Sequence, residues 1–177
     1  YDLMLSIDID EAVSEELKKS LLSVKQNFEA DGYTINRLNF YCGKPIKTCG
    51  WYPDTKLRLW NKNRGEWQGV NPHDKFQMEA DSNIQHLKGD LLHNTYPTHE
   101  ALLNQEEKFA TISAQYLKQE NILFLIAKLI FSSPFKLFRN YFFKSGFTDG
   151  AIGFTLCYHQ AREVFLKYFR AIKLKYQ

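Results

Sequence analysis

Two aspartates one residue apart, Asp8 and Asp10, with Glu11 directly after them, close an apolar run that begins at Leu3. Carboxylates in that pattern can offer hard oxygen ligands, directly or through water, to Mg2+ or Mn2+ carrying a phosphorylated substrate. The run Leu3-Met4-Leu5-Ser6-Ile7 reads as a buried strand. The acids then fall at its C-terminal tip, where open α/β sheets place their ligand crevices. So short a motif does not identify a metal site by itself, and its plain alternative is a set of solvated acids at a strand-to-helix turn.

More groups with chemical potential follow. His73-Asp74 comes after the stretch Trp67 to Val70 and after Pro72, whose ring fixes the local backbone. His93 follows Leu91-Leu92, read as a strand end, and precedes a polar turn; it suits a metal ligand or a satisfied structural histidine. Trp51 and Tyr52 stand in a Gly-, Pro- and Asp-rich loop from Gly43 to Asp54. Loops of that length are often functional, and these two rings would give a sugar flat faces or else cover a sheet edge. Arg58 and Lys44 could meet phosphate or an acidic acceptor, though most exposed basic side chains are simply solvated. His86, His99 and His159 have no such context.

In order, the series Asp8-Ile9-Asp10-Glu11, Gly50-Trp51-Tyr52-Pro53-Asp54, Arg58-Leu59-Trp60, His73-Asp74, His93-Asn94-Thr95-Tyr96 and Gly146-Phe147-Thr148-Asp149-Gly150 resembles the family 2 glycosyltransferases. It is most similar to the branch of lipopolysaccharide-core β-1,4-glucosyltransferases. The resemblance implies the C-terminal part of a GT-A (Rossmann-like) α/β domain followed by an α-helical appendage. It also implies an inverting, metal-dependent transfer of a hexose, glucose first, from a nucleotide diphosphate sugar to a surface-glycan, lipopolysaccharide-core or lipid-linked acceptor.

Under that resemblance Asp10 binds Mn2+ or Mg2+ directly, Asp8 is shared between metal and ribose, and His93 completes the metal set. Asp74 is the general base at a position where the family usually has the longer Glu. Glu11, Trp51, Tyr52, Asp54, Arg58 and His73 fall on the substrate side. Family members carry a nucleotide-binding half before the Asp-x-Asp strand, so this chain is expected to be a fragment that does not turn over substrate alone. Two other readings stay open: a metal-dependent phosphohydrolase using the same acids and histidines, and a non-catalytic module that binds anions or a membrane.

These groups must be held by ordinary elements. Ser14 is placed to cap a helix with Glu15 and Glu16 in its first turn and with Leu17, Leu21, Val24 and Phe28 at helical spacing. Tyr33 to Tyr41 and Leu57 to Trp60 read as strands. From Thr98 the pattern turns helical, first through Leu102, Leu103, Phe109, Ile112, Tyr116 and Leu117, then through Ile122 to Phe131. Ser133-Pro134 is expected to cap and open a new helix ending near Gly146, and Asp149 to cap the last one. The expected division is a catalytic part over 1–97 and a helical, membrane-associating part over 98–177.

Charge is also unevenly spread, with its own break further along the chain. Residues 1–116 carry 13 basic and 17 acidic side chains, whereas 117–177 carry 10 and 3, so the tail alone seeks anions. Strand-end acids argue against nucleic acid as that partner, and the aromatic loop at Trp51-Tyr52 favours a sugar substrate over the phosphohydrolase reading. The apolar window from Ile122 to Phe131 is too short to span a bilayer, so the expected location is cytoplasmic and peripheral on the inner face of the cell membrane. Three cysteines without paired spacing indicate neither a zinc knuckle nor a disulfide framework.

Overall fold

The computed structural model describes residues 2–68 and 75–176, Lys75 by its backbone alone, so His73 and Asp74 lie outside the described residues. The chain forms two units, one of residues 1–40 and 52–95 and the other of 41–51 and 96–177. Segment 41–51, assigned from sequence to the first part, belongs to the second unit.

In the first unit, β1 (Leu3–Leu5) and β2 (Glu11–Val13) precede α1 (Glu15–Gln26) and β3 (Gly32–Tyr41). After the short β4 (Lys44–Pro45) of the second unit come β5 (Asp54–Asn61), β6 (Gly65–Gln68), β7 (Lys75–Met78) and β8 (Ile84–Tyr96). β6 and β7 form a separate antiparallel ribbon. The main sheet runs in the order β1-β5-β3-β8-β2. β1 and β3 are antiparallel to β5, and β2 is antiparallel to β8. At the centre, Thr34 meets Gln85 while Asn39 meets His93, so β3 and β8 advance in the same direction. The result is a mixed α/β sheet.

The expected buried strand before the acids is only three residues long and lies at the sheet edge, with Met4 and Leu5 exposed. Apolar content alone could not show that it lacks a neighbour on one side. β8 is long instead, so His93 sits inside a strand and not at its end.

Helix α1 begins as expected: Ser14 Oγ accepts the Leu17 N–H, and Glu15 and Glu16 occupy the positive first turn. Its start rests on β8 at Gly89, whose φ of +92° favours glycine and whose absent Cβ would lie 2.2 Å from Leu17 N. Leu17, Tyr33, Ile35, Leu59 and Leu91 make the core between helix and sheet.

The second unit packs α2 (His99–Leu117), α3 (Ile122–Phe138) and α4 (Gly150–Lys175), with a π-helical turn at Arg139–Phe143 and a 3-10 turn at Gly146–Asp149. Thr98 and Asn121 cap α2 and α3 through their side-chain oxygens. The expected break at Ser133-Pro134 does not occur, and α3 runs through it. Proline deletes one N–H there, but on an exposed face where water can satisfy the freed carbonyl, while Ser133 Oγ donates to Ala161 O on α4.

Asp149 precedes α4 as expected, yet its carboxylate caps nothing and accepts from Thr48 Oγ1 instead. The helices pack on small residues: a Cβ at Gly153 would fall 1.8 Å from Gly146 O, so α4 closes tightly on the turn before it. Phe109, Ile112 and Tyr116, expected to mark the apolar face of α2, are exposed, and the buried stripe is Leu102, Glu106, Ala110 and Ala114. Among the described residues no helix is long and apolar enough to cross a membrane. Cys42, Cys49 and Cys157 are all free thiols.

Candidate metal and substrate site

The acids do not extend from a strand tip but form a tight turn between β1 and β2. Glu11 N–H donates to Asp8 O at 3.0 Å and Glu11 Oε2 accepts the Asp8 N–H at 3.0 Å, leaving Ile9 fully exposed at the tip. Glu11, its side chain wholly buried, then accepts from Arg58 at 2.6 Å and stands 3.6 Å from Arg37. Arg58 also donates to both oxygens of Asp8, at 2.7 and 3.4 Å. Arg37 reaches Asp54 at 2.7 Å, and Lys56 reaches the other Asp54 oxygen at 2.9 Å. Four residues named from sequence, Asp8, Glu11, Asp54 and Arg58, thus share one network in which acids and bases alternate.

Its electrostatics follow from those contacts. The Arg58 hydrogen bond holds the Asp8 carboxyl below its ordinary range. Burial works against the charge on Arg58, but Asp8 and Glu11 outweigh it and raise its pKa. Burial likewise opposes ionisation of Asp54, and the bonds from Lys56 and Arg37 prevail and lower it. Arg58 is therefore a buried structural cation and not an exposed one.

Asp10 is left out of this network. Because Glu11 lies opposite His93 in the β2–β8 ladder, the preceding turn residue comes beside the same histidine. Asp10 Oδ2 is 3.0 Å from His93 Nε2. On the far side of the ring, Nδ1 lies 2.7 Å from Asn39 Oδ1 and 2.8 Å from Thr95 Oγ1. Thr95 Oγ1 donates to that same Asn39 oxygen at 2.9 Å.

With Nδ1–H donating to Asn39, Nε2 turns a lone pair on a carboxylate. Such a pair is stable with a cation between the two atoms, either a proton or a metal ion. The opposite tautomer leaves His93 Nδ1 and Asn39 Oδ1 as two acceptors in contact, unless the amide is turned over. Two ligands about 2.1 Å from one ion and at right angles to each other are about 3.0 Å apart, so the spacing suits a metal as well as a hydrogen bond. Among the described residues no three His, Cys, Asp or Glu side chains converge as a metal cluster. Asp8 turns to Arg58, and its exposed outer side keeps lone pairs for water or a more distant ion.

A cavity of about 390 Å³ opens beside Asp10, lined by Ile9, Glu11, Ala12, Phe40, Leu92 and Asn94. Tyr52, named from sequence as a sugar platform, sits in the first unit with its hydroxyl donating to Asp90 at 2.9 Å and accepting from Asn36 at 3.3 Å. Burial, then the Asp90 bond, raises its pKa. Trp51 belongs to the second unit and packs on Tyr96 with ring centroids 5.6 Å apart.

No protein-family model matches the chain, and no solved structure matches it significantly.

Sequence reasoning passed over Asn39 and Arg37 and named Thr95 only within the motif around His93. Asn36, Arg37 and Asn39, clustered in a strand rich in aromatic and aliphatic residues, were the available signal. It also passed over a buried cluster in the second unit. There Glu106 accepts from Arg162 at 2.7 Å and from His159 Nδ1 at 2.8 Å. Arg162 and Arg170 both reach Glu107, the first at 2.9 Å. The Arg170 and Arg162 hydrogen bonds lower the Glu107 pKa. Every carboxylate oxygen in this cluster has a hydrogen-bond partner on Arg162, Arg170 or His159, so the cluster leaves none of them for a ligand.

Proposed function

We propose that the chain is the metal and acceptor side of a family 2 glycosyltransferase, an inverting enzyme that passes a hexose from a nucleotide diphosphate sugar to a surface-glycan, lipopolysaccharide-core or lipid-linked acceptor. The observation that carries this reading is the pairing of Asp10 with an oriented His93 at the mouth of a small cavity. Oriented histidine, carboxylate and a supporting amide are the parts from which metal sites are commonly built. Asp10 and His93 would hold Mn2+ or Mg2+. When bound, such an ion neutralises the charge that develops on a departing diphosphate.

The other residues act on geometry. Arg58 and Glu11 lock the turn so that Asp10 keeps its place, a preorganisation that removes part of the cost of ordering a loop at binding. In this proposal Asp74 takes the proton from the acceptor hydroxyl, and Tyr52 contributes ring surface on the acceptor side. The exposed strand β1, beside an apolar cavity of about 1030 Å³ lined by Leu3, Leu5, Leu21, Leu22, Phe28 and Leu59, suits coverage by a further strand and helix. A nucleotide-binding half would supply both.

In the complete protein, Asp74→Asn is expected to lower hexosyl transfer by ~10²–10⁴-fold with donor affinity kept, and Asp74→Glu to retain measurable transfer. Loss of donor binding alone in Asp74→Asn would place that residue elsewhere. Release of phosphate without any sugar transfer would favour the phosphohydrolase instead.

A further inference from the structure

Helix α3 is strongly apolar, with Lys128 and Lys136 its charged side chains, yet only one narrow stripe of it is covered. Leu125 is wholly buried, whereas Leu123, Ile130, Phe131, Phe135 and Phe138 point outward and are at least half exposed, Phe131 to 71%. On a helical projection these outward residues leave no charged side chain in the centre of the free face. The surface continues beyond the helix: Phe138 packs on Phe142, Phe142 on Tyr141, and Tyr141 on Phe154 of α4, at centroid distances of 4.8, 5.2 and 5.9 Å. The rings touch one another without being buried, and Phe142 and Phe154 also stay exposed. Exposed apolar continuity of this extent marks an interaction surface.

The charges on the same segment narrow the partner. From Asn121 to Thr148 there are seven phenylalanines, four basic residues and not one Asp or Glu. Lys128, Arg139 and Lys144 are exposed. A second copy of the chain would set this basic surface against itself, where like charges repel. An anionic surface would not. The helix is 17 residues, roughly 26 Å, which falls short of a bilayer's hydrocarbon thickness.

We propose that α3, the π-helical turn and the neighbouring face of α4 dock in the plane of an anionic lipid surface. The aromatic and aliphatic side chains enter the acyl boundary and Lys128, Arg139 and Lys144 meet the headgroups. The basic set differs from the one that the tail composition suggests. Arg170 is held by Glu107 and Thr111, which leaves it little to give a headgroup. This inference stands independently of the glycosyltransferase proposal.

The test is co-sedimentation of the full chain with vesicles of phosphatidylcholine, alone or mixed with phosphatidylglycerol, at low and high salt. Binding should rise with the anionic lipid and fall with salt. Replacing Lys128, Arg139 and Lys144 together by Gln should weaken it by on the order of a hundredfold. Phe131→Ser with Phe135→Ser should abolish it, while circular dichroism shows the fold intact because both side chains are exposed. Failure to sediment at low salt, or unchanged binding by the Ser variant, would overturn the proposal. So would dimerisation in sedimentation velocity that the same Ser variant abolishes, since a second copy would then cover the face.

Discussion

The two units each hold a cluster of acids and bases, and the clusters differ in what they leave unsatisfied. Around Glu106 and Glu107 in the helical unit, two arginines and a histidine close every carboxylate oxygen, and the product is packing between α2 and α4. In the sheet unit, Arg58, Arg37 and Lys56 engage Asp8, Glu11 and Asp54 but none of them reaches Asp10, which shares a histidine with Asn39 and Thr95. A saturated cluster specifies structure. An acid beside a histidine already fixed from its far side leaves a place for one cation between them, a proton or a metal ion, and that place separates a candidate site from a structural network.

The contrast breaks first at the saturated end. Glu106→Ala removes one partner of a buried set and should destabilise the chain by ~3–5 kcal/mol in a denaturant titration. Asp10→Ala in the same titration should change stability by no more than ~0.5 kcal/mol, as is usual for exposed positions. Equal costs would erase the distinction between the clusters. The next largest effect concerns the support of the histidine: Asn39→Ala should weaken Mn2+ affinity by ~10–100-fold by releasing the His93 ring, measured by calorimetry. An unchanged affinity would show that Asn39 serves the sheet alone.

The smallest effect is a pH dependence. Arg58 lowers the folded Asp8 pKa below its ordinary value of 3.8, so the stability this bond contributes is complete above that value and is lost as pH falls through the folded one. Asp8→Asn should therefore flatten part of the acid limb of the stability curve and leave its neutral plateau almost level. A steeper acid limb in Asp8→Asn would contradict the assigned direction.

Much of this was legible in the sequence where the signals are local. The Ser14 cap with its two following glutamates marked α1, and the β-branched and aromatic run marked β3, because capping and strand propensity act within a few residues. Burial was harder to read. The run from Leu3 looked like an interior strand, but an edge strand half covered by α1 has the same composition. Pro134 looked like a helix start because its missing N–H is commonest there, and an exposed helix face tolerated it instead. Asn39 and His93 meet only through the parallel pairing of β3 with β8, which no short window contains. Glu106 was more accessible: it occupies the middle of an i+4 stripe with Leu102, Ala110 and Ala114, and an acid on a buried stripe implies cationic partners. His73 and Asp74, whose roles come from the resemblance, lie outside the described residues.

The central proposal, that Asp10 and His93 together hold a divalent metal, is tested most directly by titrating Mn2+ into the full chain and into Asp10→Ala, with a nucleotide diphosphate sugar present and absent. The account predicts one saturable site in the unaltered chain and its loss in Asp10→Ala, with the melting temperature of the two proteins nearly the same. Equal Mn2+ affinity in the two proteins, or no Mn2+ binding by the unaltered chain under either condition, would contradict it.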